Sequence, residues 1–307
     1  MGLDRRGIFL SLSAVLAIGV LFVVFAPTTQ RELVQESRVQ VQETVTRVNA
    51  LETQELRVWL TYITRQTLND LARGPPLSGS DTVPIVFRSQ VLARLDAPDE
   101  QDRSEHNPLR QIEEFYREQF NYDPFELSLQ SIAIRSAGFR SVVVDAEFGL
   151  LLVDASNSLR IDRTIRVQQL VSLEGLIDPI AHRDGVSHQR IRFADRIIRS
   201  SDDFFEHARE GTYVATNSSF PGIPYFERFQ VSPQATRTDS IHFLHPPGAF
   251  GAQQRSYVDY YPQAQDPCLV GLQDPTTGQW VYLDGIILPF YGVAGYTGIQ
   301  TEFSEDC

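Results

Sequence analysis

The chain has 307 residues, with 27 basic against 39 acidic side chains and a formal net charge of −12. That acidity excludes a general nucleic-acid binder, because neutralising phosphates takes a basic surface. Hydrophobic residues at 42% and charged residues at 21% describe a globular chain and exclude a disordered one. Two cysteines are too few for a disulfide-dense scaffold or a four-cysteine zinc module.

Gly7 to Ala26 reads GIFLSLSAVLAIGVLFVVFA, 20 residues without a charge. At about 1.5 Å per residue this spans about 30 Å, the thickness of a bilayer's hydrocarbon core. Arg5 and Arg6 stand just before it, so the positive-inside rule predicts a single-pass anchor in the cell membrane. The N-terminus is then cytoplasmic, the bulk of the chain lies outside, and residues 7–26 contact lipid. The rival reading is a secretory signal that is removed, for which the run is long and Phe25-Ala26-Pro27 a poor cleavage context. Both readings place the remainder outside the cytoplasm.

Pro27 breaks that helix, and from Gln30 to Arg73 the chain holds neither Gly nor Pro. Val41, Val45, Val48, Leu56, Leu60, Ile63 and Leu71 recur at helical steps of 4, 3 and 8, predicting one long amphipathic helix. The stripe either packs on the chain's own domain or forms a seam for other copies; it is not a strict heptad. Gly74-Pro75-Pro76 ends the helix. Residues 77–105 are polar and turn-rich and read as an exposed loop. Asn107 to Phe120 reads as a short helix with Asn107 as its cap.

From Leu127 the period changes to two. Phe139 to Val153 reads as one or two well-buried strands, with Gly149 marking a bulge. Leu159 to Val167 alternates apolar and polar with only Arg163 out of place. Ile191 to Glu210 contains a short helix ending near Gly211. Asp274-Pro275-Thr276-Thr277-Gly278 and Asp284-Gly285 each join two β runs into a hairpin. The organisation is thus a basic head and transmembrane helix over 1–29 and a long helix over 30–73. A loop-rich segment with a short helix fills 74–125, and an acidic β-rich domain fills 126–307. The fold class is α+β, with the long helix on an antiparallel sheet. Residues 1–29 sum to +1 and 30–73 to zero, so 74–307 carries −13.

Few residues point to chemistry. In a domain outside the cytoplasm, Cys268 and Cys307 are expected to form a disulfide, with each other or between chains. Asn217-Ser218-Ser219 matches the N-glycosylation pattern. His242 and His245 are three apart and His182 and His188 six apart, neither with a companion metal motif, so no metal and no cofactor is expected. No nucleophile elbow, phosphate-cradling loop or dinucleotide fingerprint is present, which favours a non-enzymatic role. An anchored enzyme or ligand-binding domain with a convergent site remains the alternative.

The order of parts, Arg5-Arg6-Gly7 running into an apolar helix, then a long helix and a β-rich outer domain, resembles the archaeal type IV pilin-like surface proteins. That resemblance implies prepilin-type cleavage between Gly7 and Ile8, retention of the apolar helix, and assembly with other copies or related subunits through the N-terminal helices. Leu12 stands where the family's subunits often carry glutamate, which fits a minor or pilus-associated subunit better than a bulk filament protein.

Overall fold

The computed structural model describes residues 38–95, 108–154, 159–183, 185, 190–193, 201–215, 223–233, 240–245, 257–258, 269–278, 280–284 and 301–303. The apolar segment 7–26, the processing residues Arg5, Arg6, Gly7 and Ile8, the sequon residue Asn217, both cysteines, and the turn residue Gly285 and second arm of the second hairpin lie outside these. Among the described residues, no helix is long and apolar enough to cross a membrane.

Helix α1 covers 38–73 and ends at Gly74, whose backbone is extended and whose N–H reaches Asp70 O and Leu71 O. Its buried face runs through Thr44, Val48, Leu51, Leu56, Trp59, Leu60 and Ile63. The step from Leu51 to Leu56 is five residues, and Leu51–Glu55 forms a single π-turn there. An unbroken α-helix would turn Glu55 inward in place of Leu56. The wider turn takes up the extra residue and keeps the apolar stripe in phase.

The stripe faces a three-stranded antiparallel sheet, β1 (Tyr122–Ser136), β2 (Ser141–Asp154) and β3 (Arg160–Ser172), in the order β1-β2-β3. Even-numbered residues Val142 to Leu152 of β2 and Ile165, Val167 and Val171 of β3 point into the core. Trp59 of α1 meets Phe148 of β2 edge-on at 5.6 Å. Arg163, the residue that breaks the alternation, lies on the inner side because it reaches across to Glu52 of α1 at 2.6 Å. Two register shifts fall on β1, between Tyr122 and Phe125 and between Leu129 and Ser131, and the second, rather than Gly149 itself, is the irregularity nearest the glycine. Gly149 answers to it from the facing strand: a Cβ there would stand 2.7 Å from Gln130 Nε2 and 2.9 Å from Ser128 Oγ.

Two more helices complete this layer. Helix α2 (Val83–Leu95) occupies 13 of the 19 described residues of the stretch 77–105 read as loop, so that reading is corrected there. Val83, Phe87 and Val91, four apart, bury one face of it, and Pro84 sits in the first turn, where its missing N–H costs nothing. Helix α3 (Pro108–Phe120) ends at Asn121, which takes the left-handed conformation at φ 55°, tolerated by Asn at a helix stop.

Beyond β3 lie short helices α4 (Pro179–Arg183) and α5 (Ser201–Glu210), the latter ending at Gly211 with φ 63°. Strands β4 (Thr212–Ala215), β5 (Ile223–Pro224), β6 (Ser240–His245) and β7 (Tyr257–Val258) form one antiparallel sheet centred on β6. Strands β8 (Leu269–Gln273), β9 (Trp280–Asp284) and β10 (Thr301–Phe303) form another in the order β10-β8-β9. The β8–β9 hairpin turns at Asp274 to Gly278, as its residues predict, with Gly278 at φ 70°.

Candidate functional site

Helix α1 has two parts. Residues 38–43 are exposed on every side, with Val39 and Val41 at 51% and 42%. From Val48 onward the helix is core. The seven stripe residues divide accordingly. Val48, Leu56, Leu60, Ile63 and Leu71 are buried within the domain and are not available as a seam for other copies. Val41 and Val45 are exposed.

At the junction of the two parts a polar and aromatic corner ties α1 to α3 and β1. The Tyr116 hydroxyl of α3 donates to Glu55 Oε1 at 3.1 Å and lies 3.2 Å from Arg47 O. Arg47 NH1 donates to the Tyr122 hydroxyl at 3.3 Å, and Thr44 Oγ1 lies 3.1 Å from the same oxygen. The Arg47 guanidinium stands 4.1 Å over the Phe120 ring, and Tyr116 stacks on Phe125 at 4.7 Å. Burial pushes the Glu55 carboxyl above its ordinary range, partly offset by the Tyr116 hydrogen bond. Burial also pushes the Tyr116 phenol up, and the nearby Glu55 charge adds to it. Each of these side chains is spoken for by another, so the corner fastens α1 in place.

A second fastening is wholly buried. Asp178 and Arg228 both have side chains at 0% exposure and pair through Nε and NH2. Asp178 Oδ1 also accepts the N–H groups of Ile180 and Ala181, capping α4. Beside it, Tyr225 donates to Ile177 O, and burial with the Asp178 charge raises its phenol pKa. The same segment bonds to Leu77 through Phe229 O and Val231 N–H, so 225–231 is held at both ends. A third contact joins α5 to the β8–β9 turn, where Asp274 accepts from Arg209, Thr276 N–H and Thr277 Oγ1. Burial alone would raise the Asp274 pKa, but these donors outweigh it and hold the carboxyl below its ordinary range.

Among the described residues, no group of three or more His, Cys, Asp or Glu is placed to hold a metal ion. His182 is the penultimate residue of α4, with its N–H on Asp178 O. His242 and His245 lie on β6, and their side chains are outside the described residues. Sequence reasoning passed over Leu51, Glu55, Arg47, Tyr116, Asp178 and Arg228. The signal for Leu51 was its place three after Val48; the others are brought together by the fold and share no local spacing. No family model, no curated protein and no solved structure matches the chain.

Proposed function

We propose that this chain is a membrane-anchored surface protein with a structural or adhesive role, pilin-like in build and suited to a minor or pilus-associated position. The observation that carries the reading is the change along α1. The helix is exposed all round at 38–43 and core from Val48, so it leaves the sheet at the end from which the chain leads back to the uncharged segment 7–26. Arg5 and Arg6 precede that segment. The Arg47, Glu55 and Tyr116 cluster fastens α1 to α3 and β1, which suits a domain joined to its surroundings through that helix.

Fractionation followed by intact mass tests this. Recovery in the membrane fraction with loss of residues 1–7 alone is the expected result and makes assembly the working role. A full-length chain in the membrane keeps the anchor and removes the prepilin-type processing. A soluble chain beginning near residue 27 overturns the proposal.

A further inference from the structure

The three-stranded sheet has two edges, and the protein treats them differently. At β1, α3 takes outward groups near the start of the strand: Glu113 Oε1 accepts the Leu127 N–H at 2.7 Å, and Arg117 donates to Phe125 O through Nε and NH2. At β3, among the described residues, no strand pairs on the outer side. The direction of its free groups follows from its ends. Leu173 N–H bonds Arg140 O and Leu159 O accepts Asp154 N–H, both towards β2. With no register shift between β2 and β3, odd-numbered residues bond to β2 and even-numbered ones aim their N–H and C=O outward. Two of the outward carbonyls are taken. Arg65 of α1 donates to Ser172 O at 3.0 Å, and Gln169 Nε2 to Leu170 O at 3.0 Å. Among the described residues, the open edge is therefore residues 160–168.

We infer that this edge pairs with the same edge of a second copy, antiparallel about a two-fold axis through Thr164, joining two sheets into one of six strands. The sequence of the open stretch, Arg160-Ile161-Asp162-Arg163-Thr164-Ile165-Arg166-Val167-Gln168, is complementary to itself in that register. Asp162 meets Arg166 of the second copy on both sides of the axis, Thr164 meets Thr164, and Arg160 meets Gln168. Opposite charges and paired threonines directly across an antiparallel ladder are the favourable cross-strand combinations. A register centred on Arg163 or Arg166 sets arginine against arginine, and one centred on Ile165 loses both Asp–Arg pairs. Asp162 and Arg166 have 70% and 81% of their side-chain surface exposed, and the ion pairs they hold within their own chain, Asp162 with Arg160 at 3.6 Å and Arg166 with Glu147 at 2.8 Å, lie in solvent where a second copy can share or replace them. The contact is isologous and closes at two copies. It uses the sheet and not α1, so it stands whether or not the chain is anchored.

The test is oxidative cross-linking of full-length Thr164→Cys in whichever cell fraction holds the protein. On the axis, two facing residues lie within about 5.5 Å at Cα, inside the range a disulfide spans. Wild type controls for Cys268 and Cys307. Gln168→Cys controls for chance contact, because its two copies stand eight positions apart. The expected result is a reducible dimer with T164C, absent from both controls. Adding R166D should lower its yield about tenfold through loss of two charge pairs. Adding D162R to T164C/R166D should restore it. Arg166 also pairs with Glu147 of its own chain at 2.8 Å, and the double exchange leaves that bond broken, so rescue can only come from the second copy. Cross-linking of T164C no greater than of Q168C overturns the inference. Failure of D162R to rescue a chain whose circular dichroism is unchanged overturns the register.

Discussion

Glu55 and Asp274 are carboxylates that their surroundings push in opposite directions, and stability should record both signs. Glu55 has its pKa raised in the folded chain, so its contribution is complete below the ordinary value of 4.5 and is lost as pH rises through the higher folded value. At neutral pH the charge is a burden. Glu55→Gln keeps an acceptor for Tyr116 and should raise the Tm at pH 7, with no gain at pH 4. Asp274 has its pKa lowered, so its contribution is present above the ordinary 3.8 and is lost as pH falls through the lower folded value. Asp274→Asn should cost about 1–2 kcal/mol at pH 7, and the difference should shrink in acid. Thermal melts of the two variants across pH 3–7 check both. The Asp178–Arg228 pair is a different matter, because neither side chain touches water. Arg228→Met leaves a buried carboxylate without its counter-charge and should cost about 3–5 kcal/mol, whereas D178N/R228M should cost clearly less in urea denaturation.

At the scale of elements, the π-turn makes a sharp prediction. Leu51–Glu55 holds one residue more than an α-helical turn needs, so deleting the exposed Thr53 should let α1 close as a plain α-helix with its stripe still aligned. Its urea midpoint should stay near wild type. Deleting Gln66 from the α-helical part instead rotates all that follows by about 100° and turns Leu68 and Leu71 off the core, so the domain should not fold. The same turn shows how far sequence carried. The period of the stripe is legible from Val48 to Leu71. Its phase is not, because a step of eight reads equally well as two α-turns and as a three-step to Leu51 plus a π-turn. Strand β3 and the β8–β9 hairpin are legible since alternation and turn residues are local signals. Helix α2 is masked by its setting in the polar, turn-rich stretch 77–105, although the four-residue spacing of Val83, Phe87 and Val91 carries a helix. Arg163 looked like an error in a strand until Glu52, 111 residues away, was placed beside it.

For the whole molecule, the α+β class and the long helix on an antiparallel sheet could be read in advance, because burial follows periodicity. The fastenings could not, since Glu55 with Tyr116 and Asp178 with Arg228 join positions 61 and 50 apart with no shared motif. One feature of α1 has a mechanical meaning. The helix by which the chain enters the domain is also the middle of its core, and Arg65 grips Ser172 O and Glu174 O beyond the centre of the buried stretch. A tug on residue 38 along the helix axis therefore loads every contact from Val48 to Ala72 together, in shear, over about 36 Å. No single strand can be peeled away first. A domain entered through such a helix resists force applied to that helix far better than one entered through an edge strand, and over residues 38–73 it does so without a covalent cross-link in the path of the force.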